Sequence, residues 1–243
     1  MRFLLPIIIL LSSYSIADTI NLASADYPPF YGKDIKDQGP VTKIVREAFG
    51  AVGHKVNIKF YPWVRGEKLA AECKVDGMFP PWDKPERRAW GIFSDPIPPA
   101  NEIGFYRHND NSEVLSDLKS NKDNISVGIV NGYVYPDSFL NSGMQTKVVN
   151  TDLNNLKKLL RKRIDLALLD KAQAKYLINT QIEEKHRNRL TWVEPSIQKN
   201  EQYLVMCKKA VNADKKIADF NAGLKIITDN GRVDEILSEH GLL

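Results

Sequence analysis

Residues 19–60 read TINLASADYPPFYGKDIKDQGPVTKIVREAFGAVGHKVNIKF, and their apolar periodicity changes twice. Residues 19–25 open with Ile20, Leu22 and Ala23 in near alternation, the pattern of a strand, which stops at Tyr27-Pro28-Pro29. From Val41 the apolar residues fall at Val41, Ile44, Val45, Ala48, Phe49 and Val52, one helical stripe closed by Gly53. Val56, Ile58 and Phe60 then alternate as a second strand. A short helix over about residues 64–72 and a strand over 75–79 extend the series. This βαβα order predicts an α/β fold whose sheet is largely parallel and covered by helices.

Working outward towards the C-terminus, residues 79–99 are rich in Pro and Trp and are expected to hold little regular structure. Residues 102–106 read as a strand leaving the first half. The run at 125–130 (ISVGIV) is apolar enough for a strand covered on both faces. A short strand at 148–149, a helix over 153–163, a buried strand over 165–169 and a helix over 171–178 follow. Residues 203–206 close this second set, and helices over 214–229 and 232–239 end the chain. Lys157, Lys158, Arg161, Lys162 and Arg163 read as the solvated face opposite the leucines of their helix.

Towards the N-terminus, residues 1–17 carry a single charge, Arg2, ahead of an apolar run over residues 3–11 and the small residues Ser15 and Ala17. This is the pattern of a secretory signal peptide cleaved after Ala17. The run is shorter than the ~20 apolar residues that span a bilayer. No later stretch is long and apolar enough for a membrane helix.

The 243 residues carry 34 Lys+Arg against 30 Asp+Glu, a formal charge of +4 too slight for a nucleic-acid partner. The length suffices for one large domain or two lobes. His54, His108, His186 and His240 are dispersed, with no metal-binding spacing. No nucleotide loop or nucleophile elbow is present. No metal or cofactor is therefore expected. Cys73 and Cys207 can pair in an oxidising compartment, but spacing alone leaves that open.

Several segments together carry a resemblance. The first half has Ala25-Asp26-Tyr27-Pro28-Pro29-Phe30, the amphipathic helix, Lys74-Val75-Asp76-Gly77-Met78, Pro85-Glu86-Arg87 and Phe93-Ser94-Asp95-Pro96. The second has Val127-Gly128-Ile129-Val130-Asn131-Gly132 and then Arg163-Ile164-Asp165-Leu166-Ala167-Leu168-Leu169-Asp170. The tail is Asn230-Gly231-Arg232-Val233-Asp234-Glu235-Ile236-Leu237. In this order they resemble the family 3 bacterial extracellular solute-binding proteins, which include the polar amino-acid binding proteins of ABC importers. The resemblance implies a two-lobed periplasmic binding protein-like fold of type II, with the ligand cleft between lobes joined by two crossing segments. Lobe 1 would hold residues 18–106 and 209–243, and lobe 2 residues 107–208. The implied protein is a periplasmic monomer, not an enzyme, that closes over a small amino acid-like ligand and delivers it to the membrane permease of an ABC importer. Two alternatives share the scaffold: a cyclohexadienyl dehydratase-like enzyme, and a receptor feeding a membrane sensor.

The resemblance also implies roles residue by residue. Arg87 holds the place of the Arg that forks onto a ligand α-carboxylate, and a guanidinium offers two parallel donors for that task. The competing reading is an ion pair with a surface acid. Asp170 holds the place of the carboxylate that receives an α-ammonium, at the end of a strand facing the crevice. It also stands where an N-cap for the next helix belongs. Phe30 is the candidate for packing on the ligand, with Tyr27 second. The chain departs from the family where small hydroxyl residues are usual: Gly132 is followed by Tyr133-Val134-Tyr135, and Met78 by Phe79-Pro80-Pro81-Trp82. With Trp63 these place Trp82, Tyr133 and Tyr135 at the rim. Such rings stack on a ligand, hold a cation over a π face, or fill the rim themselves.

Overall fold

The computed structural model describes residues 19–114, 118 and 122–243, so the signal reading of residues 1–17 lies outside the described residues. The opening stretch forms β1 (Thr19–Ser24), α1 (Pro40–Ala51) and β2 (Lys55–Phe60). Pro40 suits the first helical position, where its missing N–H costs nothing. The stripe of α1 is buried as its spacing requires, from Val41 through Phe49. Next come α2 (Trp63–Ala71), β3 (Gly77–Met78), α3 (Pro85–Trp90) and the long β4 (Gly91–His108).

The second half runs through β5 (Ser126–Val130), α4 (Asp137–Leu140), β6 (Gln145–Val149) and α5 (Asp152–Leu160). It continues with β7 (Leu166–Asp170), α6 (Lys171–Gln181), α7 (Glu184–Arg187) and a second long strand, β8 (Leu190–Cys207). Helices α8 (Ala213–Asp229) and α9 (Arg232–Glu239) return to the first half.

All eight strands join one sheet in the order β2-β1-β3-β8-β4-β7-β5-β6. It is parallel at both ends, where β1 pairs with β2 and β3, and β5 with β6 and β7. In the middle β8 runs antiparallel to β3 and β4, and β4 runs antiparallel to β7. The largely parallel expectation thus holds inside each lobe and fails between them, because the lobes are joined by two strands passing in opposite directions. Residues 79–99 are also more regular than expected, since they supply α3 and the first half of β4. Bulges around Pro96, Asn101 and Phe105 break the two-residue alternation, which hid an 18-residue strand from a periodicity reading.

Each lobe has its own core. The first gathers α1, α8 and α9 over β1, with Phe49 and Phe220 at 5.1 Å between ring centroids. In the second, one cluster packs beneath α5 and α6, and another beneath Phe105, Ile125 and Phe139 on the other sheet face. Cys73 and Cys207 are joined in a disulfide, with Cα atoms 5.6 Å apart, tying the loop after α2 to the end of β8.

Candidate functional site

Between the lobes lies a cleft of about 670 Å³, floored by the crossing strands and walled by loops from the two parallel sheet ends. Open α/β sheets collect their ligand residues at such strand ends.

The wall on the first-lobe side is built around Arg87. Its helix α3 places the guanidinium at the cleft, only 7% exposed, and two neighbours fix its plane. Nε donates to Glu67 Oε1 at 2.7 Å, and Nη1 donates to the carbonyl of Trp82 at 2.8 Å. The guanidinium carbon stands 5.5 Å from the centroid of the Trp63 ring. Trp63 in turn donates its indole N–H to the other Glu67 oxygen at 3.1 Å. Glu67 lies four residues after Trp63 on α2, which puts both on one helical face. The ion-pair reading of Arg87 is therefore realised, with a partner inside the cleft wall rather than on the surface. Lys84 lines the same wall, its ammonium pushed below the usual lysine range first by burial and then by the neighbouring Arg87.

On the opposite side Asn101 and Tyr133 line the cleft, and two acids lie buried behind them. Asp170, 2% exposed, ends β7 and caps α6, accepting from the backbone N–H of Gln173 at 2.8 Å through Oδ1. Its Oδ2 accepts from the Asn101 side chain at 3.0 Å. Burial pushes the Asp170 carboxyl up to about 7, against the opposing pull of those hydrogen bonds. The N-cap reading and the strand-end reading are thus one position serving two geometric demands. Nearby Asp152, the first residue of α5, accepts from the Tyr133 hydroxyl at 2.8 Å, and burial raises it as well.

Asn101, on β4 at the cleft floor, joins the two walls. Its oxygen accepts from the Trp82 indole at 2.8 Å while its amide donates to Asp170. A relay of hydrogen bonds therefore runs Glu67–Arg87–Trp82–Asn101–Asp170 from one lobe to the other.

Of the remaining aromatic candidates, Tyr27, Trp63, Trp82 and Tyr133 line the cleft. Tyr27 is raised well above its usual range by burial, followed by the charges of Asp170 and Asp152. Phe30 does not share the cleft: at 1% exposure it packs in the first-lobe core, and Tyr31 takes the wall position instead. The reason is the tight turn before it, where the Phe30 and Tyr31 amides both return to the Tyr27 carbonyl and send successive side chains to opposite sides. Tyr135 is likewise set back. Its hydroxyl donates to the Val130 carbonyl at 3.0 Å and its ring packs near Phe139, bracing the turn that holds Tyr133. Gly132, at φ 77°, makes that turn possible in a region side chains rarely enter.

Glu67, Tyr31, Asn101, Asp152 and Gln173 were not singled out from the sequence. For Gln173 a signal existed, since an acid followed three residues on by Gln is a helix-start pattern. Asn101 and Tyr31 carried none, because their place depends on bulges and a turn.

No family model matches the chain, and no curated protein does. Solved structures do. A histidine kinase sensor domain with similarity to periplasmic binding proteins is 18% identical, with a TM-score of 0.72, 92% of this chain covered and 96% of that one. An ancestral amino acid-binding protein, described as a precursor of cyclohexadienyl dehydratase, is 18% identical at a TM-score of 0.68, covering 91% and 94%. An amino acid ABC transporter substrate-binding protein from Streptococcus pneumoniae, bound to L-arginine, is 13% identical at a TM-score of 0.65, covering 91% and 94%. The fold of this chain is thus that of the two-lobed periplasmic binding proteins.

Proposed function

We propose that this protein is a periplasmic solute-binding protein that captures an amino acid or similar zwitterion between its lobes and delivers it to the permease of an ABC importer. Lobe 1 then comprises residues 18–106 and 209–243, lobe 2 residues 107–208, and the working unit is a monomer. The observation that carries this reading is the opposition of charge across the cleft. Arg87 lines one wall, and Asp170 lies buried behind the lining residue Asn101 on the other side, both held in place by neighbours. A carboxylate on the Arg87 side and an ammonium on the Asp170 side exchange their hydration for charge-assisted hydrogen bonds. Binding both lobes at once favours the closed arrangement, a population shift rather than chemistry.

Two features refine the family-derived roles. The Arg87 Nε is committed to Glu67, so a ligand carboxylate meets the guanidinium through Nη2 and the remaining Nη1 proton. Tyr31 takes the packing role first assigned to Phe30. Calorimetry against the common amino acids tests the reading. Arg87→Ala and Asp170→Ala are each expected to weaken binding by about tenfold or more, the worth of one charge-assisted hydrogen bond. Unchanged affinity in both variants would sink the assignment.

A further inference from the structure

Away from the cleft, the end of the chain meets the turn that precedes α1. Helix α9 finishes at Glu239 and is followed by His240, and a 3-10 turn over Lys36–Gln38 brings Asp37 beside them. His240 Nε2, one Asp37 oxygen and one Glu239 oxygen lie within 4.8 Å of one another, and none of the three residues lines the cleft. Lys43, in the first turn of α1, donates to Asp37 Oδ2 at 3.0 Å and to Glu239 Oε2 at 2.7 Å. Arg232 donates to the other Glu239 oxygen at 3.2 Å, although its two-point partner is Glu47. The hydrogen bonds from Lys43 hold the Asp37 and Glu239 carboxyls below the usual range, which keeps both ionised at neutral pH.

His240 is the member that these ion pairs leave out. Its side chain is 7% exposed. Nδ1 lies 2.8 Å from the Ile236 carbonyl, and since a carbonyl only accepts, Nδ1 carries the proton and donates. In the neutral ring Nε2 then presents a lone pair. That atom is buried without a hydrogen-bond partner, and it stands 3.6 Å from Asp37 Oδ2, another acceptor. Two opposed acceptors at that separation make no hydrogen bond. The separation does suit two ligands of one metal ion, because zinc bonds of about 2.0–2.2 Å in a tetrahedral set hold neighbouring donors about 3.3–3.6 Å apart. An Nδ1 proton given to a main-chain carbonyl is also the bond that orients a metal-binding imidazole.

We propose that Asp37, Glu239 and His240 form a zinc site, in which the Lys43 ammonium is the resident cation of the metal-free protein and swings out on its flexible stem when zinc enters. Calcium and magnesium take oxygen ligands, whereas an imidazole nitrogen with carboxylates suits zinc. The ion fastens the end of α9 to the turn ahead of α1 and leaves its fourth position to solvent. The site is independent of the solute-binding reading. No spacing announces it in the sequence, because only the fold brings Asp37 to the other end of the chain.

The test uses protein without an affinity tag, stripped of metal with a chelator. Zinc, titrated in competition with a chromophoric chelator, is expected to bind at about one ion per chain with a Kd of about 10 μM or tighter. It is also expected to raise the melting temperature, which calcium and magnesium leave unchanged. His240→Ala and Asp37→Asn are each expected to weaken zinc binding by about tenfold or more. Glu239→Gln, at a more exposed residue, provides a third variant should either fold poorly, with circular dichroism as the check. Lys43→Met removes the competing cation and is expected to tighten binding by about tenfold. No zinc binding, or binding unchanged in every folded ligand variant, overturns the site. Calcium or magnesium binding as tightly as zinc overturns the choice of metal. Equal or weaker affinity in Lys43→Met overturns the exchange with Lys43 and leaves the three ligands standing.

Discussion

Asp170 caps a helix and is proposed to meet a ligand ammonium, and both tasks depend on pH. An unfolded Asp ionises near 3.9, whereas burial holds this one at about 7 in the native chain. As pH rises from about 4 to about 7 the unfolded chain loses its proton first. Stability therefore falls across that window and stays low above it. Asp170→Asn keeps an oxygen for the Gln173 amide, and Asn caps a helix as well as Asp does, but its NH2 meets the Asn101 amide that donates to Oδ2, a cost carried equally at every pH. The melting temperature of the variant relative to the parent is therefore expected to rise by several degrees between about pH 4 and about pH 8, by scanning calorimetry at both values. The same difference at both pH values would refute the raised ionisation of Asp170. The same proton gives a second readout. At about pH 6.5 a bound cation lowers the Asp170 carboxyl and expels up to about one proton per site. Buffers of different ionisation enthalpy reveal this as a slope in the apparent heat of binding, and a slope of zero would contradict it. Arg87 and Asp170 were both readable in the sequence because each ends a recognisable motif. Asp152 was not, since an acid in a first helical turn is ordinary.

At the scale of elements, helices were the most legible part. The stripes of α1, α5 and α8 are long enough for a 3.6-residue period to show, and each proved to be the buried face. The crossing strands were hidden for two reasons: bulges shift their register, and their ends lie in different lobes with different burial. Helix α8 shows how closely the elements fit. Gly223 lies against the backbone of α1, so that a Cβ there would fall 1.8 Å from the Ala48 carbonyl oxygen. Helix propensity alone favours Ala over Gly by about 1 kcal/mol. The contact is with backbone and cannot yield by a rotamer change, so overpacking of about 1–3 kcal/mol prevails. Gly223→Ala is therefore expected to lower the melting temperature by several degrees. A rise would show that α8 can slide on α1.

For the molecule as a whole, the two-lobed α/β fold was foreseeable from the arrangement of motifs. The link between the walls was not, because Asn101 and Glu67 acquire meaning only when both lobes are folded around them. The disulfide sharpens this contrast. It joins Cys73 to Cys207 across 134 positions, enclosing α3 through α7 and most of β8 in its loop. Closing a loop of that size in the unfolded chain is worth about 2–4 kcal/mol of stability. The Cys73→Ser, Cys207→Ser double variant is accordingly expected to melt about 5–15 °C lower than the oxidised protein. Identical melting would show that the bridge contributes nothing.

Because β3 gains its second neighbour only when β8 is made, and α1 is roofed by α8, the N-terminal half cannot seal itself. A chain emerging residue by residue carries Val41, Ile44, Val45 and Phe49 covered only on their sheet side until the segment beyond residue 213 arrives. Until then the first lobe is an unfinished shell, its α1 stripe lacking the roof that the last helices supply, and those helices are the latch that completes it.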